Sequence, residues 1–349
     1  MLPRDLTYCA WAESSAPRDT CGVPLHGPRS RTIFIVKTTI RSVRKADLPA
    51  VYGLLEQAFP EGATRSLVVA QTESDSTFRL RHGRVAIVDG RVAGYIRIFA
   101  RTMLVRGAPM AAGGIGSVAT RAEERGGGIA TALMRDAIEQ MRREGMAVSF
   151  LFTGIAGFYE RLGYRLVREP YFEADAHDAA ATPHTGLYDV RAMTERDVPR
   201  LLAIYRRSIA GGTGAIARTA RTWRDATHWL AEDGGGCFVA ERNGMPVAYL
   251  RSRCRTYGHQ ILEAECVPRH DGAVAALLAA AGRRALEHQE RLVALAPDDR
   301  PLATAMRALA SATETTDVRF PMMVLGLGEP RVKKALLSEA IRFWNSDRI

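Results

Sequence analysis

The sequence predicts an α/β fold used twice in tandem, and three observations predict it. The chain has 349 residues, too many for one ordinary domain of about 150 residues and suited to two. From Arg41 a strand-then-helix stretch places Arg41, Asp47 and Pro49 at offsets that Arg191, Asp197 and Pro199 repeat. Each half then carries a hairpin dipeptide, Asp89-Gly90 or Asn243-Gly244, between two β-rich runs.

Composition bounds the rest. Hydrophobic residues make up 47% and charged residues 25%, the balance of a folded globular chain rather than a disordered or fibrous one. The longest apolar run, Ala273–Gly282, is well short of the roughly 20 residues that cross a bilayer, so no membrane span is expected. The formal net charge is +10, and of 48 basic residues only Lys37, Lys45, Lys333 and Lys334 are lysine. The arginines are spread along the chain instead of lining one helix, which argues against nucleic acid and for a small anionic ligand. Cys9, Cys21, Cys237, Cys254 and Cys266 form no Cys-x-x-Cys pair, so free thiols and a cytoplasmic setting are expected. His177 and His184 lack arranged partners, and no metal site is expected.

Residues 1–36 contain Pro3, Pro17, Pro24 and Pro28 but no apolar core of signal-peptide length, and are expected to be a mobile extension. In each half the Asp of the repeated motif is placed to cap a helix whose first turn accepts the following proline. In the first of these helices Leu48, Val51, Leu54, Leu55 and Ala58 share one face. Residues 171–188, acidic, Ala-rich and Pro-containing, read as a linker between the halves.

The chemistry concentrates in Gly113–Met141. Strand-like residues through Val118, Ala119 and Thr120 run into a polar turn, then Arg125, Gly126, Gly127, Gly128, Ile129 and Ala130 open a helix. Its apolar face is Ile129, Leu133, Met134, Ala137 and Met141, and Gly145 should end it. Free amides at a helix start, the helix dipole, glycines that let a ligand approach the backbone, and Arg125 together make an anion site. The spacing is not that of a dinucleotide fingerprint, and no phosphate-cradling Gly-x-x-x-x-Gly-Lys run occurs.

Arg125, Gly128 and Ala130 behind the strand Val118-Ala119-Thr120 resemble the acyl-coenzyme A pyrophosphate motif of the GNAT acetyltransferase superfamily. Phe158-Tyr159, followed by Gly163-Tyr164, is similar to its closing motif. The resemblance implies tandem GNAT-type acyl-CoA N-acyltransferase domains, each a mixed, mostly antiparallel sheet flanked by helices. The catalytic domain would span 37–170 and a degenerate copy 189–330, with a helical tail over 331–349. It implies acetyl-CoA as cosubstrate, lying between the fourth and fifth strands of the first domain. Val118, Ala119 and Thr120 would hold the pantetheine arm through their backbone, and Arg125 to Ala130 the pyrophosphate. Tyr159 would be the general acid for the leaving thiolate, a role a phenol can fill in a dry cleft. The equivalent stretch of the second half keeps only Gly272 and is not expected to bind CoA.

A catalytic domain joined to such a copy resembles the enhanced intracellular survival (Eis) family of bacterial aminoglycoside and amine acetyltransferases. Ala203, Ile204, Tyr205 and Trp223 support that likeness, as do Ala58-Phe59-Pro60-Glu61. By it, Phe59 walls an acceptor pocket and Glu61 attracts a cationic amine, the acceptor being a small-molecule amine of aminoglycoside or polyamine type. A protein lysine or N-terminus, or a non-catalytic acyl-CoA-binding role, are the alternatives. Family members continue into a sterol-carrier-like domain, and the stretch from Pro321 reads as the beginning of one, with the chain ending soon after. The strand Gly113–Thr120 holds no carboxylate. The general base therefore stays open among a water relay, Glu61 and the Ile349 carboxylate. The resemblance is also the sole ground for expecting a homo-oligomer.

Overall fold

A computed structural model describes residues 38–59, 69, 72, 75–183, 186–224, 236–255, 258–288 and 291–344. The expected N-terminal extension, Glu61, His184 and Ile349 lie outside these residues.

The first half runs β1 (Thr39–Ser42), α1 (Leu48–Ala58), β2 (Gly83–Val88), β3 (Arg91–Val105), β4 (Ala108–Thr120), α2 (Ile129–Arg143), β5 (Val148–Phe152), α3 (Ala156–Glu160) and β6 (Arg165–Leu166). The second runs β7 (Tyr171–Ala174), α4 (Ala176–Ala180), β8 (Asp189–Ala192), α5 (Val198–Ser208), β9 (Gly236–Arg242), β10 (Met245–Arg255), β11 (Gly258–Cys266), α6 (Asp271–Glu287) and β12 (Leu292–Leu295). It closes with α7 (Pro301–Arg307), β13 (Thr313–Thr315), β14 (Met322–Gly326) and α8 (Pro330–Ser338).

Among the described residues these strands make two sheets, ordered β1-β2-β3-β4-β5-β14-β6 and β8-β9-β10-β11-β12-β7-β13. The orders are the same once β14 and β7 are exchanged. All pairings are antiparallel except β4 with β5 and β11 with β12, the mixed, mostly antiparallel sheet that was expected. Both hairpins form as read, with φ of 48° and 75° at Asp89 and Gly90 and 53° and 72° at Asn243 and Gly244. Positive φ at both central residues is the turn whose twist matches its flanking strands.

The strand exchange changes three readings. Residues 171–188 are more than a connection, because β7 pairs with β12 and α4 follows it. The stretch that reads as the beginning of a third domain is instead β14, inserted between β5 and β6 of the first sheet. In the tail the helix ends at Ser338, and Ile341 bridges to Thr213 in extended chain. Val332 and Leu336 pack on the first sheet, as does Phe343 from the extended part, while Trp344 enters the core of the second.

Asp47 and Asp197 do not cap α1 and α5. Each is the last residue of a short 3-10 turn, Lys45–Asp47 or Glu195–Asp197, so its backbone is already helical and its carboxylate turns back. Asp47 accepts from the Arg44 amide at 2.7 Å and from Arg41 at 2.6 and 2.9 Å; Asp197 accepts from the Thr194 amide at 2.7 Å and from Arg191 at 2.7 and 2.8 Å. The repeated Arg and Asp thus tie β1 to the start of α1 and β8 to the start of α5.

The first sheet has two distinct faces. Ile96 and Ile98 of β3 lie in the core with α2, whereas Tyr95 lies with Val51, Leu54 and Leu55 of α1. This split follows from the period of two along a strand. The apolar face read for α2 is the buried one, Ile129, Leu133, Met134, Ala137 and Met141, joined by Ile138.

Candidate active site

The site is built where β4 stops behaving as a regular strand. Tyr95 pairs with Ala119 and Arg97 with Gly116, so Ser117 and Val118 stand opposite Ile96 alone. Ser117 takes φ of 54° at this bulge. A bulge bends a strand and re-aims its backbone. On the other side, β4 and β5 pair in parallel from Ala112 with Val148 to Ile115 with Leu151 and no further, although β4 continues to Thr120. A gap therefore opens between them, edged by the backbone of Val118, Ala119 and Thr120.

At the mouth of that gap the chain makes a 3-10 turn over Ala122–Glu124 and reaches the glycines. Gly126 and Gly128 have φ of 81° and 79°, with open space where a side chain would stand. L-residues adopt that backbone at a cost of roughly 1–2 kcal/mol, so glycine suits both positions. Within α2 the Ala132 amide bonds to Gly128 O at 3.0 Å; the first-turn amides before it have no acceptor inside the helix. Arg125 is exposed beside them, its Nε 3.4 Å from Thr120 O. Arg125 to Gly128 are thus exposed and lead from the end of β4 into Ile129 and Ala130 at the start of α2, where Ile129 is buried.

Gly94 brings the start of α2 down onto the sheet. It pairs with Thr120, and a Cβ there would lie 2.8 Å from Ile129 Cγ2 and 2.9 Å from Leu133 Cδ1. The absent side chain lets the start of α2 rest on β3.

Tyr159 sits on α3, 5% exposed. Its ring stands edge-on to Phe158 at 4.9 Å and to Tyr164 at 5.9 Å between centroids. Tyr164 is a core residue, but its hydroxyl points inward and meets Ser149 Oγ at 2.6 Å. Burial pushes that hydroxyl well above the usual phenol range, against the pull of Ser149. Phe59 follows α1 and is buried among Val51, Leu55, Tyr95 and Ala119, so it lies against β4 on the α1 face.

One cluster escapes the sequence reading. On the α1 face Arg97 lies between the rings of Phe78 and Phe99 and donates to Asp75. Burial opposes ionisation of Asp75, but Arg101, Thr77 and Arg97 outweigh it and hold the carboxyl below its ordinary value. Burial pushes the neighbouring Tyr95 hydroxyl up to about 12, although Arg97 pulls it down. A signal was present: Tyr95 and Arg97 follow Gly90 at the offsets at which Tyr249 and Arg251 follow Gly244.

The second copy is chemically different. Helix α6 opens with Asp271 where α2 opens after three glycines, and an acidic first turn repels a phosphate. The face near Tyr249 is filled by buried polar side chains: Arg218 grips Glu263 at 2.8 and 2.6 Å, and Glu265 accepts from Trp344 Nε1 at 3.1 Å.

The comparisons agree with this architecture. Residues 39–167 match the model of an acetyltransferase (GNAT) domain. An uncharacterized N-acetyltransferase of Streptomyces avermitilis is 28% identical over 233 residues, covering 62% of this chain and 55% of its own length. The chain thus spans about half of that curated relative. Among solved structures, a GCN5-related N-acetyltransferase from Kribbella flavida aligns with TM-score 0.67 at 18% identity, over 85% of this chain and 72% of its own. Eis1 from Mycobacterium abscessus aligns with TM-score 0.58 at 18% identity, over 87% and 76%. At these identities the two structures attest the fold, that of tandem GNAT-type halves. Among the described residues no helix is long and apolar enough to cross a membrane.

Proposed function

We propose that the chain is an acetyl-CoA-dependent N-acetyltransferase whose acceptor is a primary amine of a small molecule, with the chemistry confined to the first half. The observation that carries the reading is the gap between β4 and β5 beyond Ile115, which leads straight to the glycine-lined start of α2. The cosubstrate would supply an activated acetyl thioester. The residues present fit it: Gly126 and Gly128 leave the backbone bare, first-turn amides and Arg125 offer donors and charge to a pyrophosphate, and Val118, Ala119 and Thr120 offer a strand edge.

Within that frame Tyr159 holds the proton that a leaving thiolate requires, at its phenolic oxygen. The Val118 amide beside the bulge is the donor for negative charge developing on the acyl oxygen. Direct attack by the amine is favoured because the nearest described cysteines, Cys237, Cys254 and Cys266, all belong to the second half. Phe59 supports the α1 face on which the acceptor is received, with Glu61 following it in sequence. The second half shapes the cleft and does not bind CoA, since Asp271 stands at its helix start.

Calorimetric titration of acetyl-CoA into wild type and Gly128→Glu tests the cofactor site, and CoA release with a panel of amines tests transfer. One site per chain that vanishes in the variant is the expected result. Binding that survives the substitution removes the site assignment, and binding without CoA release would favour an acyl-CoA-binding role.

A further inference from the structure

We propose that Arg97 is a positioning residue for the acceptor, clamping the segment that leads into β2 onto the α1 face of the first sheet. The proposal rests on the acetyltransferase reading, in which the segment between α1 and β2 lies on the acceptor side.

The clamp is built from both sides. Arg97, 5% exposed, has its guanidinium carbon 4.7 Å from the Phe78 ring and 4.2 Å from the Phe99 ring. Its Nη2 donates to Asp75 Oδ2 at 2.8 Å. Asp75 Oδ1 in turn accepts from the Thr77 amide at 2.8 Å and the Thr77 hydroxyl at 2.6 Å, and Arg101 Nη1 donates to Thr77 Oγ1 at 2.8 Å. Two arginines of β3 therefore hold Asp75, Thr77 and Phe78. A planar guanidinium between two rings gains both stacking and cation–π attraction.

The clamp also meets the reacting strand. Arg97 is the partner of Gly116, the residue before the bulge, and a Cβ on Gly116 would lie 2.9 Å from Phe99 Cε2. The ring that stacks on Arg97 thus lies over β4 where that strand turns into the gap, and a shift of the clamp moves the floor of the acceptor side.

The second copy shows what is particular to the first. Arg251 lies at the same offset after its hairpin and stands over Trp223, an aromatic of the segment that leads into β9, at 5.1 Å. Here, however, the carboxylate stands on the sheet: Glu263 pairs with Arg251 across the ladder, lies 3.7 Å from Arg251 Nη1, and accepts from Arg218 of the covering segment at 2.8 and 2.6 Å. In the first copy that ladder position is Gly116, and the counter-charge is Asp75 on the covering segment. Both copies thus tie the covering segment to the sheet by charge, but with opposite polarity, and placing the carboxylate on the segment in the first copy leaves β4 bare beside the gap.

The test uses the full chain as wild type, Arg97→Lys, Phe78→Leu and, as the matched control, Arg251→Lys. Lysine keeps the charge but loses the planar stack. With acetyl-CoA saturating and spermidine, tyramine and kanamycin as probe amines, Arg97→Lys should raise KM for the best amine about tenfold while kcat and the acetyl-CoA Kd stay within about twofold. Amide exchange over Asp75–Leu80 should quicken by about tenfold with that of α2 unchanged. Phe78→Leu should move both readouts the same way by less, and Arg251→Lys should lower Tm and leave KM alone. An unchanged KM, or an acetyl-CoA affinity that falls in parallel with it, overturns the proposal. If wild type releases CoA with none of the three amines, the small-molecule acceptor reading fails for them. The exchange measurement then decides the clamp by itself, and unchanged exchange over Asp75–Leu80 overturns it.

Discussion

Met322 is the antiparallel partner of Phe152, although one closes the second half and the other ends the fifth strand of the first. In the other sheet β7, which directly follows β6 in the chain, takes the equivalent place, with Tyr171 pairing to Leu295, so the first sheet alone is completed by a strand from the far end of the chain. The β5 wall of the proposed cleft is therefore supported on its far side by chain from the second half.

A fragment of residues 38–170 should accordingly fail as an independent domain. It would leave the wholly buried strand Val148–Phe152 as a bare edge, with unpaired backbone and exposed Phe150 inviting aggregation. The expected outcome is an insoluble or molten fragment by circular dichroism, with no acetyl-CoA heat; a cooperative, binding-competent fragment would contradict the dependence.

Gly94→Val should weaken cofactor binding without touching a cofactor contact. Its Cβ would press on Ile129 and Leu133, and overpacking of this kind costs about 1–3 kcal/mol. Thermal unfolding should show that loss, and calorimetry a weaker acetyl-CoA Kd, because α2 lifts from the sheet.

The two tyrosines of the closing motif should separate cleanly. Tyr159→Phe should lower kcat by about a hundredfold with acetyl-CoA affinity unchanged, the signature of a lost general acid. Tyr164→Phe leaves the Ser149 hydroxyl buried without its partner, a cost of about 1–3 kcal/mol in stability, and should leave kcat intact.

Glu265 gives stability an unusual pH dependence. Burial raises its carboxyl to about 7 even though Arg300, Ser208 and Trp344 act to lower it. The folded state thus keeps a proton that an unfolded chain, with the ordinary value of 4.5, has released. Its contribution is fully present below pH 4.5 and is lost as pH rises through 7. Asp197 runs the other way: its hydrogen bonds from Arg191 hold the carboxyl far below 3.8, so its contribution is present above that value and is lost in acid. Urea unfolding of wild type and Glu265→Gln between pH 5 and 8 should show a decline with rising pH in the former that is flattened in the latter.

Much of the molecule was legible in the sequence, because it is written in short windows. Asp89-Gly90 and Asn243-Gly244 specify their hairpins by the φ they tolerate, the spacing of Ile129, Leu133, Ala137 and Met141 specifies the buried face of α2, and Gly126 and Gly128 mark a backbone that glycine adopts most readily. The repeat of Arg41 and Asp47 at Arg191 and Asp197 likewise specified that one unit is used twice. What the tertiary structure decided are pairings between distant segments. Nothing in the residues Met322–Gly326 names β5 as their neighbour, since an apolar strand satisfies any edge of matching pattern. The Ser117 bulge depends on how β3 and β4 fall into register around Ile96, and the Arg97 clamp on which segment is folded over it. Local propensity fixed the parts; the ladder bonds and counter-charges that join them across the chain fixed where the gap opens and what stands beside it.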